Sequence, residues 1–214
     1  MRKEVFANNE FYHIYNRGTD KRNIFADDYD LERFFQCMRE FNSLEPIGSI
    51  YEYSFLKDKL GSRASKKGNL VNFIAYCLNP NHYHFILQQV SNKGIEKFMQ
   101  RLGTGYSKYF NNKYRRSGVL FQGKFKARHI DSNEYLLHLS AYVNLNNRVH
   151  RLGSRASKSS WDEYINEKHN LCKKHIIVDQ FKKIAEYKDF AESSLKDILS
   201  RKKLFKELET KLLE

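Results

Sequence analysis

The chain has 214 residues, 41% of them hydrophobic, with 16 Phe and 14 Tyr, which suits one domain, or one domain with an appendage, around a sizeable core. Its formal net charge is +13 and its pI about 9.5, so the expected partner is a polyanion, nucleic acid before an anionic membrane surface. No run of 18 apolar residues, no apolar stretch behind the basic N-terminus and no CxxC pair among Cys37, Cys77 and Cys172 occurs, which argues against a transmembrane helix, a signal peptide, a disulfide framework or a cysteine-based zinc site and favours a reducing cytoplasm.

In chain order, "FYHIYNRG" (11–18) alternates and is rich in aromatics, which reads as a strand ending at Gly18. "DDYDLERFFQCMREFN" places Leu31, Phe34, Phe35, Met38 and Phe41 at helical spacing, with Asp27 or Asp28 as the cap. "SIYEYSFLKDKL" is strand-like but ambiguous, and a polar loop follows it. "LVNFIAYCL" (70–78) is short, apolar and β-branched, a buried strand; after Asn79-Pro80-Asn81, "HYHFILQQV" returns as its hairpin partner. A helix with Ile95, Phe98, Met99, Leu102, Tyr106, Tyr109 and Phe110 on one face comes next, weakened by Gly103 and Gly105. "GVLFQGKFKARHI" reads as an extended strand with Lys124, Lys126 and Arg128 on one face, and "SNEYLLHLSAYVNLNN" as a helix capped by Asp131 or Ser132. Residues 151–214 are basic, charged and helical. The segment "LGSRASK" occurs at 60–66 and again at 152–158; its composition is that of a loop, and it reads as a duplicated segment tolerated at two exposed sites rather than a solenoid repeat.

Two histidines of the chain's 8, His82 and His84, stand one residue apart on the second hairpin strand. Residues i and i+2 of a strand share a face about 6.5–7 Å apart, so both imidazoles can converge on one divalent ion. A strand that merely carries two polar residues on its wet face fits the same spacing, and an ion needs at least a third ligand. On the later helix Tyr135, Leu139, Tyr142 and Asn146 share a face. That face can present a phenol nucleophile together with an amide oxygen suited to Mg²⁺ or Mn²⁺, although a tyrosine on an amphipathic helix equally fits the core boundary.

Taken in order, "FYHIYNRG", "AYCLNPNHYHFIL", "LFQGKFKA" and "YLLHLSAYVNLN" resemble the single-tyrosine HUH transposases, most closely the REP-associated tyrosine transposases, over about residues 5–190. The resemblance implies a ferredoxin-like β-α-β-β-α-β antiparallel sheet (class α+β) with helices on one face, a following catalytic helix and a helical C-terminal extension; we divide the chain into a catalytic domain, 1–150, and an extension, 151–214. It places the metal-binding histidines at His82 and His84, the nucleophile at Tyr142 and a third ligand at Asn146, with Mg²⁺ or Mn²⁺ as the cofactor and zinc still open. The chain departs from the family at Asn147, where proline is usual, and at Ala141, often basic.

The activity so implied is cleavage and strand transfer of single-stranded, hairpin-forming DNA through a 5′-phosphotyrosine, by a monomer or homodimer. Arg17, Arg115, Arg116, Lys124, Lys126 and Arg128 are the candidate phosphate contacts. The alternative is a non-catalytic nucleic-acid-binding protein on the same fold. A relaxase or replication initiator normally brings a helicase, and no P-loop occurs; a zinc deaminase lacks its P-C-x-x-C.

Overall fold

The two apolar runs on either side of Pro80-Asn81 form the centre of the sheet. β2 (Val71–Asn79) and β3 (His82–Gln89) are antiparallel, and Asn79 pairs with His82 across the two-residue turn. β1 (Phe11–Arg17) pairs with the other edge of β3, β4 (Lys126–Ile130) with β1, and the short β5 (Lys158–Ser159) with β2, all antiparallel, in the order β4-β1-β3-β2-β5. The computed structural model describes residues 4–60, 68–150, 157–166 and 171–211, with side chains for all of these except 56–60 and 202–211. Most of each LGSRASK copy lies outside the described residues.

Helices α1 (Asp28–Glu40) and α3 (Gly94–Lys113) complete the expected β-α-β-β-α-β order and cover one sheet face. Asp27 caps α1 by accepting from the Asp30 amide at 2.9 Å, and Leu31, Phe34, Phe35 and Met38 bury the predicted stripe. α3 runs unbroken through both glycines. Gly105 has a packing reason: a Cβ there would lie 2.5 Å from the Phe41 ring, so glycine lets the end of α1 press on α3. Gly103 faces open space.

Three elements differ from the sequence reading. Residues 50–60 form a helix, α2 (Ile50–Leu60), not a strand. Its aromatic, β-branched start suggested β-structure, but Ser49 and Glu52 form a reciprocal capping box that starts a helix: the Ser49 hydroxyl accepts from the Glu52 amide and the Glu52 carboxylate accepts from the Ser49 amide, both at 3.1 Å. The strand expected from residue 118 starts only at Lys126, because Gly118 and Gly123 adopt positive φ and turn the preceding chain. The helix expected to carry Asn146 stops earlier. α4 (Asn133–Asn144), capped by Ser132, ends at Leu145, and a separate turn, α5 (Asn146–Val149), follows.

The opposite sheet face is covered as well, by α4 and the C-terminal helices that the sequence reading leaves unplaced. Ile74, Ala75, Cys77 and Ile86 of the sheet pack with Leu136, Leu139 and Val143 of α4, with Trp161 and Tyr164 of α6 (Trp161–Ile165), Ile177 of α7 (His175–Val178) and Tyr187 and Ala191 of α8 (Ile184–Lys211). Both faces of β2 are therefore dry, which is why it reads as a continuous apolar run rather than an alternating one. Glu163 and Asn144 are buried in this layer with their polar groups paired. The buried Glu163 carboxylate accepts from the Tyr76 hydroxyl and from the Leu171 and Cys172 amides, each at 3.0 Å. The Asn144 amide donates to the Tyr187 hydroxyl at 2.8 Å and accepts from the Ser160 hydroxyl.

The two α3 glycines give a paired prediction. Gly105→Ala destabilises the protein by about 1–3 kcal/mol through overpacking against Phe41, while Gly103→Ala stabilises it by about 0.5–1 kcal/mol. Urea-unfolding midpoints of the two variants check both signs.

Candidate active site

The strand period and the hairpin turn place the site. Asn79 and His82 are direct cross-strand partners and His84 is two residues further on, so all three lie on the α4 side of the sheet. The His82 and His84 rings are 5.2 Å apart and nearly perpendicular, at 87°. Tyr142, from α4, stands 5.7 Å from the His84 ring. Asn146 at the start of α5 is fully buried, and its Oδ1 lies 3.3 Å from His82 Nε2. The break at Leu145 thus does not remove Asn146 from the site; the residue arrives on its own helical turn.

The hydrogen bonds around His82 assign its ring proton. Asn81 donates its Nδ2 to the Lys21 carbonyl, which aims its Oδ1 at His82 Nδ1, 2.6 Å away. An amide oxygen only accepts, so the His82 proton is on Nδ1 and Nε2 carries the lone pair. That Nε2 accepts from Asn79 Nδ2 at 2.9 Å. His84 Nδ1 faces His13 Nε2 at 2.9 Å, in the manner of a ring whose other nitrogen is reserved for a ligand. Burial first, and the Arg128 charge second, lower His13 to about 4; burial first, and then the neighbouring imidazoles, hold His84 well below its ordinary value. Both rings are therefore neutral at neutral pH.

Burial raises the Tyr142 phenol above its ordinary value. The Asn146 amide acts in the opposite sense: its Nδ2 is buried with no hydrogen-bond partner among the described residues, yet lies near enough to Tyr142 to favour the ionised phenol.

In front of these groups is a cavity of about 470 Å³ lined by Tyr15, Asn16, Arg17, Lys21, Asn81, His82, His84, Gln122, Lys126, Tyr142 and His150. Three cations and no carboxylate line it, which suits a phosphate backbone. Of the residues expected to touch DNA, Arg17 and Lys126 line this cavity, with Arg17 held by Gln122. Arg128 shares the β4 face with Lys126 and lies over the Tyr135 ring at 5.3 Å. Lys124 lines a different cavity, of about 790 Å³, beside α3. Arg115 and Arg116 line neither cavity; Arg116 bonds Asn111 and the Val119 carbonyl and shapes the turn after α3.

Residues 7–147 match the family model described as transposase, IS200-like. The chain belongs to the IS200-like transposase family. No curated protein matches this transposase. Among solved structures it is similar to a REP-associated tyrosine transposase bound to a REP hairpin, with a TM-score of 0.53 and 9% identity, over 78% of this chain and 85% of that one. At that identity the likeness is one of fold, and it agrees with the five-stranded antiparallel sheet and its helices. Among the described residues no helix of the transposase is long and apolar enough to cross a membrane.

Sequence reasoning missed His13, Tyr15, Asn79, Asn81, Gln122, Lys21 and His150. Part of the signal was present: His13 and Tyr15 alternate in "FYHIYN", and two asparagines flank the hairpin proline immediately before His82. Which strand faces which was missing. Tyr15 pairs with His84 in the register, and this brings His13 alongside it.

The depressed His13 value predicts acid sensitivity. Unfolded, His13 takes up a proton below about 6.5; folded, it resists until about 4. The unfolded state therefore binds more protons in that window, and stability falls as pH drops through it. From pH 7 to 5 the His13 contribution is a loss of roughly 2 kcal/mol. Urea midpoints in EDTA should show that fall, and His13→Asn should flatten it; an equal slope in the variant contradicts the assignment.

Proposed function

We propose that this transposase cleaves and rejoins single-stranded DNA, with Tyr142 as the nucleophile and His82, His84 and Asn146 as ligands to Mg²⁺ or Mn²⁺. The observation that carries the reading is the convergence of a half-buried phenol, two imidazoles and a buried amide oxygen beside one cation-lined cavity, from three different elements. The residues fit a divalent ion. His82 Nε2 and Asn146 Oδ1 are both acceptors and face one another at 3.3 Å, close to the roughly 3 Å between adjacent ligands of an octahedral Mg²⁺ site. Among the described residues no three His, Cys, Asp or Glu side chains form a metal-binding group, so the proposed set relies on the Asn146 amide oxygen as its third ligand. We assign the catalytic unit to residues 1–150 and treat 151–214 as an extension that supports it.

When bound, the ion offsets phosphate charge and polarises phosphorus. The chain's own residues supply the rest. Arg17, Lys21 and Lys126 hold the strand by its phosphates, and Asn81 and His13 engage the Nδ1 atoms of His82 and His84, which leaves each Nε2 for a ligand. The Tyr142 oxygen bonds to phosphorus as the bond from phosphorus to the 3′ oxygen breaks. The phenol loses its proton and the departing 3′ oxygen gains one, giving a 5′-phosphotyrosine and a 3′-hydroxyl. The covalent link keeps the phosphodiester energy, so rejoining needs no ATP. The REP hairpin on the structural neighbour supports a hairpin-forming strand as the substrate class.

With labelled hairpin DNA from the gene's own flanks and Mn²⁺, a denaturing gel should show a protein-linked band. Tyr142→Phe should reduce it at least about a thousandfold, and His82→Ala or EDTA should do the same. A band that survives Tyr142→Phe moves the nucleophile; tight binding without any band favours a binding module. Separately, Lys126→Ala should weaken single-strand binding about equally across sequences and reduce the slope of log affinity against log salt by about 0.7, read from titrations at several salt concentrations.

A further inference from the structure

Asn79 ends β2, is fully buried and belongs to no role described so far. Its Nδ2 is 2.9 Å from His82 Nε2 and 2.7 Å from Asn146 Oδ1, and those two atoms are 3.3 Å apart. The three atoms make a triangle whose edges all lie near the roughly 3 Å edge of an octahedral Mg²⁺ coordination face. The end of the Asn79 side chain thus stands at a vertex of such a face, beside the place an ion would occupy rather than in it. The cross-strand pairing of Asn79 with His82 fixes this position, because directly opposed residues of an antiparallel pair project to the same side.

Only the amide's orientation differs from that of a ligand. Without an ion, nitrogen is the right atom at this vertex, because it donates to two acceptors that would otherwise face each other unpaired. The amide's two ends are nearly equal in size, so a half-turn about the Cβ–Cγ bond exchanges them without repacking. Oxygen then occupies the vertex. Nitrogen then faces Cys77 Sγ, which now donates to Asn79 Oδ1 at 3.5 Å and has lone pairs with which to accept instead.

We infer that Asn79 is a further ligand, through Oδ1, to the divalent ion shared by His82, His84 and Asn146, and that its amide turns over as the ion enters; this rests on the metal-dependent reading above. The set becomes two imidazoles and two amides, which remains uncharged and favours an oxygen-preferring ion over zinc more strongly than a single amide does.

The test is Mn²⁺ binding by titration calorimetry on the whole chain without DNA, after thermal melts confirm that each variant is folded. Wild type binds, and His82→Ala does not. Asn79→Leu, which removes the oxygen, weakens binding at least about tenfold. Asn79→Asp, which keeps the oxygen and its reach but cannot donate, binds at least as tightly as wild type. An Asn79→Leu affinity equal to wild type overturns the inference and leaves the metal reading standing. Equal weakening in Asn79→Leu and Asn79→Asp also overturns it, because the residue then acts only as a donor that positions its neighbours. A folded wild type that binds no Mn²⁺ overturns both.

Discussion

The site depends on the two-residue turn at Pro80-Asn81. A hairpin this tight leaves no freedom of register: Asn79 must oppose His82, and every later residue of β3 is then assigned to a face. A slip of one residue would send both histidines into the apolar layer beneath α1 and α3 and bring Tyr83 and Phe85 up to the cavity. The aromatic packing of Tyr83 and Phe85 with Phe34 resists that slip. The greasy side of the strand therefore sets the position of the polar one.

The second constraint is electrical. Imidazoles can ligate only while neutral, and in this cavity neutrality comes from the surroundings, not from the ambient pH. Burial, and after it the charges of His13, His82 and His150, keep protons off His84, while Arg17, Lys21 and Lys126 line the same cavity. Burial has a cost at Tyr142, whose phenol becomes harder to ionise, and the unpaired Asn146 nitrogen offsets part of it. An orphaned donor deep in a protein is normally a defect. Here it faces the Tyr142 phenol and favours its ionised form.

Much of this was legible in the chain. The hairpin and the apolar stripes of α1 and α3 follow from spacing alone, each cap is narrowed to two adjacent residues, and the grouping of His82, His84, Tyr142 and Asn146 comes from the family resemblance that four short motifs carry. What escaped falls into two kinds. Local signals in competition account for α2, where a β-like run of Ile50, Tyr51 and Tyr53 obscured the Ser49–Glu52 box, and for the loop before β4, where glycine conformation overrode an extended pattern. Non-local partners account for Asn79, Asn81 and His13. Each is an ordinary polar residue until strand pairing supplies its neighbour, and a periodicity of two says which face a residue takes without saying what stands opposite. The covering of the second sheet face belongs to this kind too, because α8 meets α4 only through the fold.

The break at Leu145 separates two jobs that one continuous helix would have joined. Tyr142 is positioned by α4, which is wedged between the sheet and α8. Asn146 is positioned by α5, whose Arg148 is ion-paired with Glu192 of α8 at 2.5 Å. Tyr142 and Asn146 therefore sit on two helices that both pack against α8 and are joined by one non-helical residue. The C-terminal helix, remote from the cavity in sequence, braces both of the helices that bring side chains to it.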